Sequence, residues 1–326
     1  MSERKVRVAV VGVGDFGRNH VRVYSQLDDA ELVGITDANP ERARHVAAEF
    51  GTRVLVDADA LAGQVDAVSV AVPTVEHARV GCKLLEQGID VLVEKPMAAS
   101  LEEADELIGA ARKNARVLQV GHLERFNPAV VAVQEIVTRP LFFEVHRLGV
   151  FSPRSLDVDV VYDVMIHDLD ILLALVESPV AGLKTVGIPI LTDKVDIAHA
   201  RIEFESGAVA NVTASRVSTE RVRKMRFFQA HEYISIDYAR QDALRVRVQE
   251  GGAQPQFAFE KLPTQPEEPL RAELRGFLDA VRTRSVPRVD GLAGRRALEL
   301  ADRVMAGILE HARRVQLGAF APQAAR

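Results

Sequence analysis

One cysteine, Cys82, and no tryptophan stand among 326 residues. A lone cysteine has no partner within the chain, which excludes a disulfide framework and a cysteine-rich zinc module. Aromatics are scarce at 5%, and no apolar run reaches the roughly 18 residues that a spanning helix needs. Neither sign of charge dominates: 41 basic against 46 acidic side chains leave a net −5, which argues against a general nucleic-acid surface. The N-terminal MSERKVRVAVVGVGDFG places basic residues ahead of an apolar run, as an export signal does. Arg7 interrupts that run, its glycines are poor helix formers, and no small-residue cleavage site precedes Asp15. A cytoplasmic protein with no membrane partner is expected. With 48% hydrophobic and 27% charged residues the chain is neither disordered nor fibrous, and its length suits about two domains of ~150 residues.

What is present first is an alternation. VRVAVVG (6–12), ELVGITD (31–37), AVSVAV (67–72), IDVLVEKP (89–96) and RVLQVGH (116–122) are short, apolar, β-branched runs of the kind that buried strands have. Between them lie helical stretches. One runs from about Phe16 to Leu27, one opens on Pro40, one is capped by Thr74 and stopped by Gly88, and one starts on a Ser100/Glu103 capping box. This repetition predicts right-handed βαβ units and a doubly wound parallel sheet covered on both faces. After about Glu124 the pattern changes. Helices are expected over 127–137, from about Val164 to Glu177, and near 268–283 and 292–314. Strands are expected near 141–150, 195–205, 209–217, 224–230, 232–238 and 244–248, separated by breaks at hairpin spacing, which implies an open, mainly antiparallel sheet. The tail 314–326 is expected to be loose.

Gly12, Gly14 and Gly17 form G-x-G-x-x-G directly between the first strand and the first helix. In that setting the first glycine allows the tight turn, the second lets the backbone approach a pyrophosphate, and the third lets helix pack on strand. Asp15 and Phe16 lie within the motif, and the N-terminus of the helix that follows offers free amides and positive potential for phosphates. Asp37 ends the second strand 20 residues after Gly17, where a ribose-binding acid is expected. It would accept from both adenosine ribose hydroxyls and repel a 2′-phosphate, which favours NAD; Arg42 and Arg44 just beyond leave NADP open. The chain thus divides into an NAD-binding Rossmann domain over 1–123 and an α+β domain over 124–326, whose last helix is free to pack back on the first.

Two further features carry chemistry. Lys95, in Glu94-Lys95-Pro96, ends the strand 89–96, and ligands of open α/β sheets sit at the carboxyl ends of strands. The alternative is a surface lysine in a turn. Asp163 and His167 are four apart, hence on one face of a helix, where a carboxylate can orient an imidazole that acts as a general base. Here the alternatives are a capping role for Asp163 and a satisfied core histidine at 167. His167 with Asp170 lacks an evident third metal ligand, so no metal is expected.

VGVGDFGRNH, ITDANPERA, AVPTVEHA, VEKPMA, GHLERFNPA and DVMIHDLD, in this order and at these spacings, resemble the glucose-fructose oxidoreductase, inositol dehydrogenase and rhizopine catabolism protein family. The resemblance implies a Rossmann domain followed by a domain whose open sheet makes homodimer or homotetramer contacts. It also implies oxidation or reduction of sugar and cyclitol hydroxyls with NAD(P). The family's catalytic lysine falls on Lys95, and its catalytic carboxylate and histidine on Asp163 and His167. Pro73, Thr74 and His77 fall in the loop along the cofactor, although His77 can equally be read as an exposed helix residue. Glu94 falls where the family faces the nicotinamide ribose, and Arg125 and Asn127 where the chain leaves the Rossmann domain and could reach both ligands. GHLERFNPAV and LGVFSPRSLDVDVVYDVMIHDLD look most like UDP-N-acetylglucosamine 3-dehydrogenases and related nucleotide-sugar oxidoreductases, which implies a 3-keto sugar product. Arg154 is then the expected partner of a UDP diphosphate, arginine being a planar fork for phosphate oxygens. An inositol or free-sugar dehydrogenase is the alternative enzyme. A dinucleotide-sensing regulator without catalysis is the alternative of another class.

Overall fold

The computed structural model describes residues 4–55, 61–152, 158–249 and 256–317. In chain order the first elements are β1 (Val6–Val11), α1 (Asp15–Tyr24), β2 (Ala30–Thr36), α2 (Pro40–Phe50), β3 (Ala67–Val70), α3 (His77–Glu86), β4 (Asp90–Glu94), α4 (Leu101–Lys113) and β5 (Leu118–Gly121). Then follow α5 (Pro128–Gln134), β6 (Phe142–Leu148), α6 (Ile166–Leu175), β7 (Val180–Ile188), β8 (Ile197–Phe204), β9 (Val209–Ser215), β10 (Val222–Gln229), β11 (Glu232–Asp237), β12 (Asp242–Gln249), β13 (Gln256–Lys261), α7 (Pro269–Thr283) and α8 (Gly291–Arg314). Two compact units result: 1–126 with 267–298, and 127–266 with 299–326.

The first unit holds a five-stranded parallel sheet in the order β2-β1-β3-β4-β5. Strands β3, β4 and β5 are buried at every residue and β1 at all but Arg7, which is why they read as largely apolar runs, while the edge strand β2 exposes Glu31. From β1 the chain passes to β2 on one side and then returns across β1 to β3 on the other, so the strand order reverses beside β1, the place where such sheets bind ligands. Helix starts follow local chemistry. Asn39 accepts from the amides of Glu41 and Arg42 ahead of Pro40, and Ser100 accepts from Glu103. Thr74 does not cap α3 as its sequence position suggests: Thr74–Glu76 form a separate 3-10 turn with no side-chain capping bond. The apolar stripe of α7 (Leu270, Leu274, Phe277, Leu278) joins the core shared by β1 and α1.

The second unit is built on an eight-stranded sheet, β13-β12-β11-β10-β6-β9-β8-β7, antiparallel except for the β6–β9 pair. Alternation sets its two faces. Phe143 of β6 stacks on Phe227 of β10 on the buried face at 5.0 Å between centroids, and Phe142 on Phe228 on the other face at 6.0 Å. Strands β7 and β13 were not expected from the sequence. They are the two edges of the sheet and lack the strict buried/exposed alternation that marks inner strands. Residues Val161–Met165 form a π-helical turn running directly into α6.

Candidate active site

The carboxyl ends of β1 to β4 assemble one half of the expected chemistry. Gly12 has φ +85°, and a Cβ there would lie 2.7 Å from the Ala71 carbonyl oxygen, so only glycine lets the turn pass so close to the end of β3. A side chain at Gly17 would collide with the Gly12 carbonyl oxygen. At Gly14, in contrast, a Cβ would meet nothing within 4 Å. Gly14 is the N-cap of α1 and offers no side-chain cap, while Asp15 and Phe16 are exposed beside it. Open space in front of uncapped helix amides fits a pyrophosphate. The residues present therefore suit a dinucleotide.

Asp37 lies just beyond β2 with its carboxylate almost wholly covered. Val13 N–H donates to Oδ2 at 2.8 Å and Asn39 N–H to Oδ1 at 2.7 Å. The Arg42 guanidinium adds Nε to Oδ2 at 3.1 Å and Nη2 to Oδ1 at 2.8 Å. Burial alone would raise this carboxyl, but Arg42 and the two amides outweigh it and hold it below the usual range.

Past β3, Pro73 is exposed and Thr74 half-buried. His77 is not the exposed helix residue that one reading of the sequence allows: it is 1% exposed. Its Nδ1 lies 2.9 Å from the Pro96 carbonyl oxygen and its Nε2 2.9 Å from that of Val72. The ring thus fastens the turn after β3 to the turn after β4. Burial lowers its pKa from the ordinary 6.5, against the two carbonyls that favour its protonated form. Lys95 is half-buried in that second turn, one residue past β4. Glu94 beside it is buried, with Oε1 3.0 Å from His20 Nε2 of α1. A Cβ at Gly121 would lie 2.6 Å from the same oxygen, so glycine on β5 makes room for the carboxylate. His20 escaped sequence reasoning; the signal was a histidine on the buried stripe of α1 with Gly17, Val21 and Tyr24.

Asp163 and His167 belong to the second unit. Asp163 is not a cap: it sits inside the π-helical turn, its own amide donating to the Asp159 carbonyl at 3.1 Å. Both side chains are half-buried. Their helix is pinned from three sides. Asp159 accepts from Val195 N–H at 2.8 Å, Tyr162 O–H donates to Asp302 at 2.7 Å, and the buried Asp168 takes both prongs of Arg147 of β6 at 2.7 and 2.9 Å. The Arg147 guanidinium also lies over the Tyr238 ring at 4.8 Å. Of the other sequence candidates, Arg125 is half-buried, Asn127 caps α5 through Ala129 N–H and donates to the Tyr238 carbonyl, and Arg154 lies outside the described residues. Among the described residues, no group of three or more His, Cys, Asp or Glu could hold a metal ion, and no helix is long and apolar enough to cross a membrane.

Comparison with known proteins matches residues 6–122 to an oxidoreductase family with an NAD-binding Rossmann fold, and residues 144–233 to the GFO/IDH/MocA C-terminal domain. The chain is 38% identical over 307 residues to the UDP-N-acetylglucosamine 3-dehydrogenase of Acidithiobacillus ferrooxidans, covering 93% of this chain and 97% of that one. A solved structure of that enzyme superposes with a TM-score of 0.87 over 93% of this chain and 98% of its own. The scyllo-inositol 2-dehydrogenase (NAD(+)) of Bacillus subtilis is 29% identical over 240 residues, 66% of this chain and 69% of the relative. With a glycine loop that fits a nicotinamide dinucleotide, and with family matches over both the parallel and the antiparallel sheet, the chain belongs to the GFO/IDH/MocA family of oxidoreductases.

Proposed function

We propose that the protein is an NAD-dependent dehydrogenase that oxidises a secondary hydroxyl of a sugar, the 3-hydroxyl of UDP-N-acetylglucosamine or a related UDP-sugar, to the 3-keto sugar. The observation that carries this reading is the 38% identity, nearly end to end, to a UDP-N-acetylglucosamine 3-dehydrogenase. The first unit is assigned the cofactor, with Gly12, Gly14, Asp15, Phe16, Gly17, Asp37, Pro73, Thr74, His77, Glu94 and Lys95 along it. His77 acts there through the two turns that it joins. The Asp37 carboxylate supports NAD over NADP, as does the cofactor named for the inositol relative.

A bound nicotinamide supplies the hydride acceptor. The chain must supply a base and a means of steadying charge on the alcohol oxygen. His167 takes the hydroxyl proton on its imidazole. Lys95 donates from Nζ to the same oxygen, which stabilises the developing negative charge and orients the carbon. Asp163 holds the imidazole tautomer and stabilises its protonated form. Arg125 and Arg154 are assigned to the substrate, Arg154 to its diphosphate; Asn127, buried with its side-chain amide on Ala129 and Tyr238, is assigned to holding the start of α5. The second unit's sheet is assigned to subunit contact in a homodimer or homotetramer. Register places Phe142, Phe228, Tyr233, Val246, Val248, Phe257 and Phe259 on its outward face, an apolar strip suited to a second copy.

The test is formation of reduced nicotinamide with UDP-N-acetylglucosamine, other UDP-sugars and myo-inositol, joined to calorimetric NAD binding. Lys95→Ala and His167→Ala are expected to abolish turnover while keeping NAD affinity within a few-fold. Loss of NAD binding or of fold in both would assign them structural roles instead. The inositol relatives favour one competing reading, a cyclitol substrate. That substrate lacks a diphosphate, so turnover preserved in Arg154→Ala would select it.

A further inference from the structure

An ionised carboxylate is an acceptor only, with about four lone-pair positions on its two oxygens. At Asp37 all four are taken: Val13 N–H and Arg42 Nε at Oδ2, Asn39 N–H and Arg42 Nη2 at Oδ1. The two amides are backbone and cannot withdraw without undoing the glycine turn and the start of α2. Arg42 can, because its side chain is 48% exposed against 3% for Asp37. Its fork fills two positions, one on each oxygen, and a vicinal diol needs two acceptor positions. Helix stability does not call for an arginine here. Arg42 lies in the first turn of α2, where a cation opposes the helix dipole.

We propose that Arg42 is a specificity-determining residue for the dinucleotide: its guanidinium and the adenosine ribose diol compete for the same two acceptor positions of Asp37, so that NAD binds only as Arg42 swings out. This rests on the reading of Asp37 as the ribose-binding acid. The competition acts against NAD alone. A 2′-phosphate offers Arg42 a new bidentate partner when it leaves Asp37, so the arginine that hinders the diol helps the phosphate. Asp37 and Arg42 therefore pull cofactor choice in opposite directions, and the NAD preference is smaller than the carboxylate by itself would set.

Equilibrium binding of NAD and NADP, measured by calorimetry without substrate, tests this in the wild type, Arg42→Ala, Arg42→Lys, Asp37→Asn and the Arg42→Ala/Asp37→Asn double variant. Arg42→Ala is expected to tighten NAD by roughly two- to fivefold, the range of a part-exposed ion pair, and to weaken NADP. Arg42→Lys, with a single ammonium in place of the fork, falls between. In the Asp37→Asn background the removal of Arg42 no longer tightens NAD, since the competition runs through that carboxylate; a purely structural arginine would give the same change in both backgrounds. If Arg42→Ala leaves NAD affinity unchanged or weaker while Asp37→Asn weakens it, the ribose reading stands and the competition is overturned. If Asp37→Asn leaves both affinities unchanged, the ribose reading itself has failed, and the competition with it.

Discussion

A methyl group at position 14 would enter open space, whereas one at position 17 would strike the Gly12 carbonyl oxygen, and this difference separates binding from folding within one loop. Gly14→Ala is expected to keep its stability within about 0.5 kcal/mol, as substitutions away from packed features do, yet to lose dinucleotide affinity because the methyl occupies the approach to the pyrophosphate. Gly17→Ala is expected to cost about 1–3 kcal/mol of stability by overpacking and to lose binding as well. Urea unfolding and calorimetric titration of the two variants check both outcomes. The placement of the glycines, Asp37 and Lys95 at the ends of strands was legible because spacing along a strand–turn–helix sets it. The His20–Glu94 pair was not: it joins residues 74 apart in the chain, and only the packing of α1 against β4 brings them together. The sequence places Arg42 five residues past Asp37, where it leaves NADP open, but does not show the two-pronged contact that fills the carboxylate.

Among the elements, the helix that carries Asp163 and His167 depends on a buried ion pair. Asp168, next to His167, is fully buried, and Arg147 is 5% exposed. Removing one partner strands a charge in the interior, so Arg147→Ala is expected to cost about 3–5 kcal/mol. Replacing both, as Arg147→Met with Asp168→Leu, should recover most of that loss. Urea midpoints at constant slope measure both. Long, strongly periodic helices and inner strands were read correctly from pattern, since burial on one face writes itself into the sequence. Strands β7 and β13 did not, because an edge strand has little buried face to declare; Phe257 and Phe259 of β13 are both largely exposed. Nor did the π-helical turn, which has no composition of its own and places Asp163 in the body of the helix rather than at its cap.

For the whole molecule the decisive fact is that neither unit is a continuous stretch. The chain changes unit after 126, after 266 and again within α8, so α7 returns to the first unit from far along the sequence. An amphipathic stripe shows that a helix has a face to bury but not which surface receives it, and this long-range step is the least legible part of the architecture. Leu274, Phe277 and Leu278 are fully buried in the first unit's core, each worth about 1.5–3 kcal/mol, a sum comparable with the ~5–15 kcal/mol by which a domain is stable. A fragment of residues 1–126 is therefore expected to bind hydrophobic dye and unfold without cooperativity. The same fragment joined through a flexible linker to 267–298 is expected to show a single sharp transition, with circular dichroism as the measure. The sheet of the second unit has a related consequence during synthesis. Strand β6 lies between β10 and β9, both of which follow it in the chain. At ~5–20 residues per second a ribosome takes about 3–12 s to make the roughly sixty residues from β6 to β9. For that interval the nascent chain displays an aromatic strand with two open edges, which makes this segment the natural point of chaperone engagement and of aggregation when translation is forced.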